Sequence, residues 1–149
     1  MTKKIFKSIM AVAGAVLIAS LVIIMGCLYQ YFSDVQGKQL EDELSLAAVA
    51  VEKNGQNYLE ELPSREYRLT WVAENGEVLY DTQSDGKRME NHGDREEIQE
   101  ALRNKEGKSS RYSATLLEKT LYCARRLKDG SVLRISVSSV TIWVLVLGM

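Results

Sequence analysis

The stretch YRLTWVAENGEVLYD, from Tyr67 to Asp81, decides the architecture. Tyr67, Leu69, Trp71 and Ala73 alternate with Arg68, Thr70 and Val72, the period of two that predicts a half-buried strand. Asn75-Gly76 supplies the residues that a tight hairpin turn demands, and Glu77 to Asp81 reads as the return strand. Antiparallel sheet is expected at the centre of the chain.

Upstream of this hairpin the period changes. Leu40, Leu44, Ala47 and Val51 recur at spacings of four, three and four, which predicts an amphipathic helix ending near Asn54-Gly55. Its apolar face either packs on its own domain or meets a second copy. Further upstream, Ile9 to Leu28 runs for 20 residues without an acidic or basic side chain. A bilayer core about 30 Å thick needs roughly 20 helical residues. Lys3, Lys4 and Lys7 precede the run, and Tyr29, Tyr31 and Phe32 follow it. Lysines on the near side place the N-terminus in the cytoplasm, and the aromatics suit the outer interface. A cleaved signal peptide is disfavoured by the length of the run and the lack of a clean A-x-A site. A lipoprotein signal ending at Cys27 is disfavoured by bulky Met25. Ala11, Ala15 and Ala19 form a small-residue stripe that lets two membrane helices approach closely.

Downstream, Thr82 to Gly93 reads as a polar loop. Asp94 with Glu97 three residues on resembles a capping box, Ile98, Ala101 and Leu102 give a short helix one apolar face, and Gly107 reads as its end. Three strands are expected near Lys108–Ser113, Thr120–Leu127 and Ser131–Ser138, the last two joined by a hairpin at Lys128-Asp129-Gly130. Val140 to Met149, VTIWVLVLGM, is apolar throughout but covers about half a crossing, and reads as the start of a second transmembrane helix in a truncated chain. The expected organisation is a cytoplasmic N-terminus (1–8), a transmembrane helix (9–29), an extracytoplasmic domain (30–139) and the start of a second span (140–149). The expected fold class is α+β: a long helix, a five-stranded antiparallel sheet and a short helix, in the manner of PAS-like sensor domains.

Charge excludes some functions. Three of the 19 basic residues precede the span, so residues 33–138 hold 16 basic against 20 acidic residues, a charge of −4. A nucleic-acid binder needs the opposite balance. No P-loop, G-x-G-x-x-G or G-x-S-x-G pattern occurs. The single histidine, His92, stands between Glu90 and Asp94, but one imidazole without a partnered cysteine makes a poor metal set, and it reads as a loop residue ahead of the helix. Cys27 and Cys123 lie in the apolar run and in a strand, and form no useful staple. No catalytic residue, metal site or cofactor is assigned. The last three strands carry Arg111, Arg125, Arg126 and Arg134 beside Tyr112 and Tyr122. Guanidinium forks on a sheet can receive a carboxylate or phosphate. Arg111, Tyr112, Tyr122 and Arg126 are therefore the ligand-binding candidates. Against this, Leu133, Ile135 and Val137 face one way, which leaves Arg134 on what reads as a solvated outer face.

The runs Glu77 to Asp81, Met89 to His92 with Asp94 to Ile98, Arg111 to Leu116, Tyr122 to Leu127 and Asp129 to Arg134 together resemble sensor histidine kinases of clostridia-like bacteria, of the phosphate-regulon sensor type. Cys123 stands where an aromatic residue is expected. The resemblance implies a receptor half: one span, an extracytoplasmic PAS-like domain, then a second span leading to HAMP, phospho-accepting and ATP-binding domains that this chain lacks. It implies a homodimer in the cell membrane, a response regulator as partner, and ATP with magnesium in the absent kinase domain. This chain alone is then expected to be inactive. An anchored adaptor module, and the sensor part of a chemoreceptor or nucleotide cyclase, are the alternatives.

Overall fold

In the computed structural model of the chain, residues 2–63, 67–113 and 118–140 are described. The chain divides into two units, Met1–Gln36 and Gly37–Met149. Helix α1 (Thr2–Asn54) contributes to both. In the first unit its side chains are exposed, Val16, Leu17, Ile18 and Val22 each by more than 60%. The segment is long and apolar enough to cross a membrane, with a mean hydropathy of 2.6.

The second unit is α+β. After α1 come α2 (Gln56–Glu61), β1 (Arg68–Val72), β2 (Val78–Asp81), a 3-10 turn (Gly86–Arg88), α3 (Glu96–Asn104), β3 (Glu106–Ser113), β4 (Glu118–Arg126) and β5 (Val132–Val140). The strands form one antiparallel sheet in the order β2-β1-β5-β4-β3. Helix α2 carries no long periodic signal and was not expected. Strand β5 continues through Ser138-Ser139 to Val140, so the strand pattern does not close where expected; residues 141–149, which hold most of the expected second span, lie outside the described residues.

Each face of the sheet has its own core. On one side Leu40, Leu44, Ala47, Ala48 and Val51 of α1 pack with Leu59, Leu69, Cys123, Leu133 and Ile135. Leu40 is fully buried and Leu44 is 4% exposed, so the stripe that a second copy was to share is already used inside the domain. Each such side chain contributes about 1.5–3 kcal/mol by leaving water. Cys123 lies in this core, and burial pushes its thiol up to about 11.

On the other side Val72, Ala124 and Val132 pack against Ile98 and Ala101 of α3. Strand β1 is therefore buried on both faces, Thr70 and Val72 fully so, rather than on one. Arg95, not Asp94, is the N-cap of α3, and no side chain caps the helix. Lys105, with φ of 73°, ends it, while Gly107 already lies in β3. A nine-residue helix is only about 13 Å long. It covers one part of the sheet face. Polar side chains occupy the rest.

Candidate functional site

The uncovered part of this face forms an open cleft of about 470 Å³. Sheet register explains who lines it. Arg68 of β1 is paired with Ser136 of β5, Ser136 with Tyr122 of β4, and Tyr122 with Ser109 of β3, so four strands place these side chains in one row. Arg111, Thr120 and Ser138 form the next row. Arg134 stands one step inward, between Thr70 and Ala124. His92 and Arg95 complete the wall from the segment before α3.

A continuous polar chain lies behind the lining. Arg68 Nε donates to both Asp81 oxygens, at 3.1 and 2.9 Å. Thr70 Oγ1 donates to Asp81 Oδ2 at 2.7 Å and accepts from Arg134 Nη2 at 3.2 Å. Arg134 Nη1 donates to Glu97 Oε1 at 3.2 Å, and Arg111 Nη2 and Ser109 Oγ both donate to Glu97 Oε2 at 2.7 Å. Arg111 and Arg134 also stand 4.4 and 5.3 Å from the centre of the Tyr122 ring, within cation–π range. Glu97 is fully buried and Arg134 is 5% exposed, which corrects the expectation of a solvated face.

The electrostatics follow from this packing. Burial works against a charged Glu97, but the Ser109 hydroxyl, a backbone amide and the two guanidiniums outweigh it and hold the carboxyl below its ordinary value. Burial is also the first cause that lowers the His92 pKa; Arg134, Arg95 and Arg68 push the same way, against a hydrogen bond to the Glu90 carbonyl. That bond is 2.8 Å from Nδ1, and a carbonyl only accepts, so Nδ1 is the donor.

Both shifts predict acid sensitivity. The unfolded chain takes up a proton at His92 more readily than the folded one, so the associated stability is complete above the ordinary value of 6.5 and is lost as pH falls below it. The Glu97 contribution is present above 4.5 and is lost as pH falls further. The melting temperature of the chain in lipid nanodiscs should fall between pH 7 and pH 5, and His92→Gln should flatten that interval. An unchanged slope in the variant would remove His92 as its source.

Of the residues singled out from sequence, Arg111, Tyr122 and Arg134 meet in the cleft. Arg126 lies on the same face at the far end of α3, where its Nη1 donates to the Leu102 carbonyl at 2.8 Å. Arg125 pairs with Glu106 at 2.6 Å. Tyr112 follows Arg111 in β3, so it points to the opposite face, and it is 59% exposed. Sequence reasoning missed Arg68, Arg95, Asp81 and Glu97. Arg68 was open to detection, because it stands in phase with Thr70 and Val72 on a strand whose second face is also buried.

Fold and cleft together define an α+β domain with an arginine-lined cleft, in a chain that also carries a membrane-capable helix. No family model matches the chain, and no curated protein matches it. Among solved structures it is similar to the extracellular domain of a candidate histidine kinase, rpHK1S-Z16, at 13% identity and a TM-score of 0.45. The likeness covers 59% of this chain and 37% of that one, so the chain spans well under half the length of that neighbour.

Proposed function

We propose that the chain is the extracytoplasmic sensing and signal-input region of a membrane sensor histidine kinase, with a PAS-like domain that reports a stimulus to a cytoplasmic autokinase. The observation that carries this reading is the placement of the cleft. It opens on one face of a sheet whose opposite face is packed by residues 40–51 of α1, the helix that also contains the apolar span. A ligand that prefers one arrangement of the sheet shifts the packing of α1 by its difference in affinity between the two arrangements. The output domains, with their ATP, magnesium and response regulator, lie outside this chain. Two copies meet along the first span through Ala11, Ala15 and Ala19. Outside the membrane the contact uses the side of α1 that bears Leu46 and Val49, 69% and 52% exposed, since the Leu40 stripe is buried.

The orientation is tested by single cysteines at Lys4 and Lys87 in a chain without Cys27 and Cys123. A membrane-impermeant maleimide added to intact cells should label position 87 and spare position 4. The reverse pattern would overturn the extracytoplasmic assignment. Reading the gene beyond codon 149 tests the output: transmitter motifs support the kinase, whereas a stop codon or another output domain rejects it.

A further inference from the structure

We propose that the cleft is a binding site for a small oxyanion with at least two negative charges, carried by carboxylate or phosphate groups. The first argument is charge. Four guanidiniums, from Arg68, Arg95, Arg111 and Arg134, line the cleft, and its described lining includes no carboxylate. Behind them, among the described residues, the buried carboxylates are Asp81 and Glu97. Asp94 approaches Arg95 Nε at 3.9 Å but is 83% exposed, so water screens most of its effect.

The second argument is unfilled hydrogen-bonding capacity. Nε of Arg95 and Nε of Arg134 are buried without a hydrogen-bond partner among the described residues. Buried donors in folded proteins nearly always find an acceptor, and these stand in a cleft whose rim offers mainly more donors. The third is preorganisation. Glu97 fixes Arg111 and Arg134, and Asp81 fixes Arg68, so the forks are held before a ligand arrives. The hydroxyls of Thr120 and Ser138, 3.1 Å apart, add neutral partners at the edge.

The volume suits a small molecule rather than a polymer, and the mainly polar lining, with only Met89 and the Tyr122 ring as apolar surface, gives an apolar ligand little to bury against. Metal cations are repelled by the arginines. What remains is a compact polyanion, which a guanidinium fork grips in two places. This inference deepens the sensing reading and rests on it for its biological meaning. Binding is measured on the isolated chain, so its failure is distinct from a failure of the labelling or gene-reading tests.

The full chain in phosphatidylcholine nanodiscs is titrated calorimetrically with inorganic pyrophosphate, with tricarballylate, and with glycerol as a neutral control. At least one anion should bind saturably at one site per chain, and glycerol should not bind. A preference for pyrophosphate assigns the phosphate class; a preference for tricarballylate assigns the carboxylate class. Arg95→Gln, which leaves both buried carboxylates paired, and Arg111→Lys, which keeps the charge but loses the fork, should each weaken binding about ten-fold. Absence of binding by both anions in the folded wild-type chain would overturn the proposal. So would binding that both variants leave unchanged.

Discussion

Replacing Glu97 by glutamine should cost the domain about 3–5 kcal/mol, the penalty for removing one partner of a buried ion pair. Among the described residues Glu97 is the only carboxylate bonded to Arg134, whose side chain is 5% exposed, and the variant leaves that guanidinium without a counter-charge, with only neutral partners such as Thr70 Oγ1 and the Tyr122 ring. The pair with Arg111 adds less, because Arg111 is 38% exposed and reaches water. In nanodiscs the melting temperature should drop by roughly 10 °C or more. The double variant Glu97→Gln, Arg134→Met should recover much of the loss, since an apolar replacement removes the stranded charge. A melt of Glu97→Gln within about 2 °C of wild type, an interval small against the expected shift, would show that the pair holds little of the fold.

The second large effect is expected at Gly107. Strand β3 passes so close to α3 that a Cβ on Gly107 would meet the Glu97 carbonyl oxygen, and would stand 2.8 Å from the Ala101 nitrogen. Both are backbone atoms and cannot rotate aside. Alanine must push α3 off the sheet at a cost of about 1–3 kcal/mol. Because Glu97 rides on α3, the same displacement should loosen its grip on Arg111 and Arg134. Gly107→Ala and Glu97→Gln should therefore combine to less than the sum of their separate effects. Gly86→Ala is the control: its Cβ would find Val78 Cγ1 at 3.4 Å, an ordinary contact, and the melt should barely move. Equal melts for the two alanine variants would reject the close approach as the cause.

Periodicity carried the sequence reading as far as it went. The α1 stripe and the apolar face of α3 follow from spacing, the hairpin at Asn75-Gly76 from turn residues, and all three stand in the structure. What spacing does not contain is the identity of the covering layer. Alternation put Arg134 opposite Ile135 correctly, yet it could not tell whether water or α3 lay above it. Glu97 failed for a different reason. Asp94 with an acidic residue three positions on is the local signature of a capped helix, and only the distant Arg111 and Arg134 redirect that carboxylate inward. Lys105 in the left-handed region was hidden as well, because nothing local distinguishes it from any other lysine and the nearby glycine drew the assignment. The cleft was legible in part: Arg111 and Tyr122 were named on residue type, whereas Arg68 needed the sheet order and Arg95 the seat of α3 on the sheet to bring them in.

The polar chain from Arg68 through Asp81, Thr70, Arg134 and Glu97 to Arg111 draws side chains from β1, β2, β5, α3 and β3. Arginines and carboxylates alternate along it, with Thr70 donating on one side and accepting on the other. Removing one charged member leaves its neighbour in the chain, on a different element, with one partner fewer. Such positions are expected to change as a block during divergence, kept together or replaced together by an apolar set, while the surface around them drifts. In a protein of this kind, novelty in what is recognised would then arise first at the rim, at Thr120 or Ser138, where a new side chain replaces none of the six.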